Sequence, residues 1–114
     1  MIIDWSKTKL FIMPGKTDMR KQINGLSIIV QDELELDPFT ESMFLFCSKN
    51  RKQLKLLYWD KNGFCMWQKK LERDKFPWAK NKDEVTEIDK RQFKMLLAGI
   101  DFFEAHQELK YEHV

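Results

Sequence analysis

Leu54-Lys55-Leu56-Leu57-Tyr58-Trp59-Asp60-Lys61-Asn62-Gly63-Phe64-Cys65-Met66-Trp67-Gln68-Lys69-Lys70-Leu71 is the stretch on which the fold turns. Two apolar-rich runs flank Asn62-Gly63, and Asn-Gly is the strongest short hairpin signal because both residues tolerate positive φ. Leu54 to Trp59 therefore reads as a strand that returns as Phe64 to Leu71. Upstream, Met43-Phe44-Leu45-Phe46-Cys47 is an unbroken apolar run of strand length, joined to the hairpin by the polar, basic loop Ser48 to Gln53. Together the three runs predict an antiparallel meander.

Working outward, Leu10 to Met13 followed by Pro14-Gly15 reads as a first strand and a turn. Met19, Ile23, Leu26, Val30 and Leu34 follow at steps of three and four, which makes one apolar stripe. The spacing predicts a helix over Asp18–Leu36, capped by Thr17 or Asp18 and stopped by Asp37-Pro38. Gly25 costs this helix about 1 kcal/mol, and close packing against a strand would explain it. Downstream, Phe76-Pro77-Trp78 reads as a loop over the sheet's edge and Asn81 to Glu84 as a polar connector. Thr86 caps a second helix through about Ala98, with Asp89 three residues on as a weak capping box, Phe93, Leu96 and Leu97 as its apolar face and Gly99 at its stop. The fold class is α+β: a small antiparallel sheet of three or four strands packed by an N-terminal-half helix and a C-terminal helix. Residues 1–101 form one domain and 102–114 a tail.

Composition agrees with one small domain. The chain has 114 residues, 43% hydrophobic and 33% charged, which is too apolar for a disordered chain and the usual length of a single core. No apolar run reaches the roughly 18 residues of a membrane span, and Asp4, Ser6 and Lys7 interrupt any leader-like stretch. Cys47 and Cys65 form no framework and no Cys-x-x-Cys pair, so a reducing cytoplasm is expected.

The net charge is only +2, but it is unevenly placed. Lys49, Arg51, Lys52, Lys55, Lys61, Lys69, Lys70, Arg73 and Lys75 face only Asp60, Glu72 and Asp74 within their stretch. Just before it, Asp32, Glu33, Glu35, Asp37 and Glu41 have no base among them. Such segregation creates a local field that the sum conceals, although a solvated charged surface gives the same pattern.

The chemistry of the side chains favours binding over catalysis. Gly15-Lys16-Thr17 stands between a strand and a helix, but Leu10 occupies the position where a phosphate-binding loop needs its first glycine. His106 and His113 lie in the tail, and neither cysteine has a ligand partner at a metal-site spacing. No Gly-x-Ser-x-Gly elbow is present and no acidic cluster is singled out for two-metal chemistry, so a nuclease is the weakest reading. The expectation is no catalytic residue, no metal, no cofactor and no small-molecule substrate.

The informative constellation is Lys49 to Trp78, in which bases alternate with Tyr58, Trp59, Phe64, Trp67, Phe76 and Trp78. Bases neutralise backbone phosphates and exposed aromatic faces stack on unpaired bases. Strand alternation leaves neither face of the hairpin cleanly polar, so several of these aromatics belong to the core and phosphate contact is favoured over stacking. The candidate DNA contacts are Lys16, Arg20 and Lys21 near the first helix, and Lys49, Arg51, Lys52, Lys55, Lys69, Lys70, Arg73 and Lys75 on the hairpin and its loops. Tryptophan and arginine also favour protein interfaces, and Trp59, Trp67 and Trp78 are the candidate anchors of that alternative.

Several linked motifs carry a family resemblance: Thr17-Asp18-Met19-Arg20-Lys21, Asn24-Gly25-Leu26, Asp37-Pro38-Phe39 with Phe44-Leu45-Phe46, Lys55 to Asp60, Gly63-Phe64, Lys70 to Arg73 with Phe76-Pro77-Trp78, and Leu96 to Asp101. From about Lys9 to Asp101 the chain resembles the TnpB (Orf2-like) accessory-protein family of insertion sequence 66 elements, a group of bacterial transposable elements. The resemblance implies a small non-catalytic protein needed for transposition, encoded beside a separate transposase. It also implies the transposase and a second accessory protein as partners. The chain departs from the family at Gln22 and Asp74, where the family has glycine, and the second departure counts against a tight turn in Arg73-Asp74-Lys75. The leading expectation is an accessory protein that binds DNA, and the alternative is an adaptor docking on the transposase.

Overall fold

The computed structural model describes residues 6–81 and 86–99. Its strands are β1 (Lys9–Ile12), β2 (Ser42–Cys47), β3 (Gln53–Asp60), β4 (Gly63–Lys70) and β5 (Glu87–Ile88); its helices are α1 (Ile23–Asp32) and α2 (Lys90–Leu97). They form one sheet in the order β4-β3-β2-β1-β5. The meander is as read: Phe44 pairs with Leu57 across β2 and β3, and Leu57 with Met66 across β3 and β4.

The α+β class stands, and the sheet differs in detail: it has five strands and is mixed. β1 runs parallel to β2, with Lys9 against Ser42 and Ile12 against Leu45. A strand, a helix and a strand in succession form a crossover unit, and a crossover is what brings two strands together in parallel. β5 adds only Leu10–Ile88 and Phe11–Glu87 pairs, too short for any periodicity to announce.

All six residues of β2 are buried, because it is central and covered on both faces. On one face α1 places Leu26, Ile29 and Val30 on Phe44, Phe46 and Leu57. On the other, Phe93 and Leu96 of α2 and the segment Phe76, Trp78 and Ala79 cover Leu10, Ile12, Met43, Leu45, Leu54 and Leu56. Removing a ring such as Phe44 or Phe46 from water contributes about 1.5–3 kcal/mol.

The helices are shorter than their stripes. Met19 and Leu34 flank α1 rather than belong to it, yet both pack on the same cluster. The N-cap is Gln22, which makes no side-chain cap bond, instead of Thr17 or Asp18. Asp18 accepts from the Arg20 N–H at 2.9 Å, a local turn that competes with helix. At the other end Glu35 takes a left-handed φ of 55° and the Leu36 N–H donates to the Val30 carbonyl, so a helix stop acts before Pro38 is reached. A Cβ on Gly25 would meet the Lys21 side chain, not a strand. In the second helix the cap is Asp89 rather than Thr86: Asp89 and Gln92 form a reciprocal capping box, and Gly99 has the expected positive φ. The connector over 82–85, the end of the last motif at Ile100-Asp101 and the tail lie outside the described residues.

The hairpin turn is also displaced by one residue. Asp60 pairs with Gly63 across a loop of Lys61 and Asn62, and the positive φ falls on Lys61, not on Asn62 and Gly63.

Candidate nucleic-acid interface

Because β1 and β2 are parallel and β3 and β4 alternate, one end of the sheet collects the chain after β1, after β2, before β3 and after β4. Those four places and the last residues of β4 carry Lys16, Lys49, Arg51, Lys52, Lys69, Lys70, Arg73 and Lys75, with Glu72 and Asp74 among them. The other end collects the starts of β1 and β2 and the β3–β4 turn, hence Lys7, Lys9 and Lys61 beside Glu41 and Asp60, with the acidic Glu33–Asp37 connection leading into it. The polarity seen along the chain is a polarity in space.

The basic end is closely built. Ser48 and Asn50 bond side chain to side chain at 2.7 Å, and the Lys52 N–H donates to the Asn50 side chain. Arg51 then turns through φ 60°, with its N–H on the Ser48 carbonyl. Its own carbonyl accepts from the Phe76 N–H at 2.7 Å, and the Lys52 carbonyl accepts from the Leu71 N–H at 2.7 Å, so the two basic loops are tied together. The Gly15 N–H donates to the Ala79 carbonyl at 2.8 Å and the Thr17 N–H to the Cys47 carbonyl at 2.8 Å, which brings in the turn after β1. The outcome is a depression of about 450 Å³ lined by Lys16, Lys49, Arg51 and Lys80 around Gly15, Ser48 and Trp78. Lys80 had no place among the sequence candidates. Its signal was the neighbouring Trp78-Ala79, whose burial carries the next side chain to the same rim.

Asp74 takes a φ of 64°, so the tight turn that the missing glycine counted against is present. Aspartate is among the few residues that visit this region at modest cost.

The remaining candidates divide. Lys55 is 1% exposed, and its Nζ donates at 2.8 Å to the carbonyls of Met19 and Lys21. Its ammonium satisfies the chain entering α1, and burial pulls it below the ordinary lysine value against the opposing pull of Asp18. Strand alternation puts Lys55 on the same face as Leu57 and Trp59, and α1 packs on that face. Arg20 is exposed but bidentate to Asp18, with contacts of 2.7–3.1 Å. The Arg20 guanidinium holds the Asp18 carboxyl down at about 2, so this pair stays matched near neutral pH. Lys21 borders a second groove with Asp18, Asp32 and Glu33, which Lys16 also lines, and so sits largely among acids.

Of the tryptophans, Trp78 is a core residue, 7% exposed, with its indole N–H on the Met13 carbonyl at 2.8 Å. The segment Phe76 to Ala79 does not lie over an edge; it forms part of the layer that covers the sheet. Trp59 packs edge-on to Phe39 and Phe64 at ring-centre distances of 5.1 and 5.0 Å. Trp67 alone of the three is an exposed large residue, at 43%. Burial pushes the Cys47 thiol up to about 12, which makes it unreactive near neutral pH. Among the described residues no group of three His, Cys, Asp or Glu side chains could hold a metal, and no helix is long and apolar enough to cross a membrane.

Fold and surface define a small α+β domain whose described residues carry open, charged depressions at the ends of the sheet. The family comparison gives it a place: residues 8–107 match the model of the IS66 Orf2-like protein family, and the chain belongs to that family. Two relatives come from Sinorhizobium fredii. The uncharacterized protein y4hO is 31% identical over 102 residues, covering 90% of this chain and 89% of its own. The uncharacterized protein y4jC is 31% identical over 94 residues, covering 82% and 80%. No solved structure matches.

Proposed function

We propose that this protein serves transposition of an insertion sequence as a non-catalytic accessory that holds DNA at the basic end of its sheet. The observation that carries this reading is the convergence of Lys16, Lys49, Arg51 and Lys80 on one depression, from loops that hydrogen bonds fix to one another. Its shape and charge suit phosphate groups. Stacking on unpaired bases has little support there, because Phe76 and Trp78 are buried beneath the rim.

Anisotropy titration of a labelled duplex across about 50–200 mM salt tests it, since phosphate-led binding weakens linearly on a logarithmic salt scale with a slope of about 0.9 per contact. Reversing Lys16, Lys49 and Arg51 to Glu abolishes the binding, and neutralising each singly lowers the slope by about one. An unchanged slope in the triple variant, or no binding at the lowest salt, defeats the proposal. The adaptor reading loses Trp78 to the core and most of Trp59 to its aromatic neighbours, and it rests on Trp67. Co-purification with the transposase that survives nuclease and fails on Trp67→Ala would favour it.

A further inference from the structure

We infer that β4 is a self-association edge: it pairs antiparallel with β4 of a second copy of this chain, so that one sheet continues across two molecules. The inference does not depend on DNA binding.

β4 is outermost in the order β4-β3-β2-β1-β5 and is eight residues long, whereas β5 at the opposite edge has two. Natural edge strands are protected by being short, by prolines, by bulges or by charges along their middle. β4 has none of these over Gly63 to Gln68: its pairing with β3 is regular from Gly63 to Lys70, and its first charge is Lys69. Phe64, Cys65 and Met66 are half-buried and Trp67 is exposed.

The turn fixes which backbone groups are unused. Asp60 and Gly63 close a two-residue loop and so form a hydrogen-bonded pair, after which bonded residues alternate along the ladder. Gly63, Cys65, Trp67 and Lys69 therefore bond β3, and the N–H and C=O groups of Phe64, Met66, Gln68 and Lys70 point away from the sheet.

The occupant follows from symmetry and charge. A strand that pairs with itself in a continuous sheet does so about a two-fold axis, which makes the pair antiparallel. That operation sets the end of β4 in one molecule beside its start in the other. The end carries Lys52, Lys69, Lys70, Arg73 and Lys75 against Glu72 and Asp74; the start carries Asp37, Glu41 and Asp60 against Lys61, with Lys7 and Lys9 beyond Glu41 on the side of β2 away from β4. Opposite charges thus meet twice in one dimer. With the axis at Trp67, all four free residues are used: Met66 lies opposite Gln68 of the second copy and Phe64 opposite its Lys70. Lys70 then reaches the Phe39, Trp59 and Phe64 rings, which pack at 5.0–5.1 Å on that face.

Light scattering on the full chain without DNA, from about 10 to about 200 µM, tests this. The expected mass at high concentration is twice 13.8 kDa. Gln68→Pro removes an outward donor and leaves the β3 ladder whole, so it returns the protein to one mass with an unchanged circular dichroism spectrum. Trp67→Lys provides the same readout if the proline variant fails to fold. In a Cys65→Ser background, Trp67→Cys oxidises to a covalent dimer, because a pair on the axis has Cα atoms about 4.5 Å apart. A mass of 13.8 kDa at the highest concentration overturns the inference. So does a dimer that persists in folded edge variants, and a dimer that Trp67→Cys does not cross-link overturns the register.

Discussion

The two ends of the sheet use the same ingredients, aromatic rings and charge, in opposite ways. At the basic end Phe76 and Trp78 are buried beneath the loops, and the charges stand on a rim held by backbone bonds. At the acidic end Phe39 remains 52% exposed and leans on Trp59 and Phe64, with Asp37 accepting from the Phe39 N–H. The contrast teaches that a run of bases and aromatics is not one surface. Its rings fix the chain so that its cations can be presented.

The comparison can be broken most forcefully at Trp78. Trp78→Ala removes a ring from the core and orphans the Met13 carbonyl, so about 3–5 kcal/mol of stability is lost in thermal or denaturant melts. A melt shifted no more than that of a surface variant would show that the basic end does not rest on this ring. Lys55→Met comes next. It leaves two carbonyls without their donor and costs about 2 kcal/mol, while the salt slope of DNA binding stays unchanged because no phosphate contact is lost. A fall in that slope would return Lys55 to the interface. At the acidic end, Phe39→Ala costs about 1 kcal/mol, the usual worth of an aromatic contact at a half-open site. A loss as large as that of Trp78→Ala would erase the distinction between the ends. The smallest effect has the opposite sign. Asp74→Gly relieves a left-handed residue and removes an acid from the basic end, so stability rises by less than about 1 kcal/mol and DNA binding tightens in the same titration.

The meander, the apolar stripe and the family were legible because each rests on local pattern: continuous apolar runs, steps of three and four, and linked short motifs. Cap positions were not. Asp18 and Asp89 are the same residue type, and only the bond each finds, to the next turn or to a helix, separates them. The parallel β1–β2 pair was within reach, since a helix between two strands implies a crossover. The two-residue β5 was not, because nothing periodic fits in two residues. For the site, alternation gave each strand residue its face, but not which face a helix would cover or where. Lys55 and Lys52 look alike in sequence; one lies under the entry to α1 and the other on a loop. Trp78 and Trp67 differ in the same way: one donates to a carbonyl 65 positions distant and is 7% exposed, and the other is 43% exposed.

The strand order has a kinetic consequence. β2, β3 and β4 are neighbours both in sequence and in space, so their pairing closes short loops and forms early. β1 must wait for α1 to bridge it to β2, and β5 must return across most of the chain to place the Thr86 carbonyl on the Ile12 N–H. The rim that gathers Lys16 and Lys80 beside Arg51 draws on these late arrivals. The basic rim therefore rests partly on the contacts that cost most in loop closure, whereas the β2–β3–β4 meander rests on the cheapest.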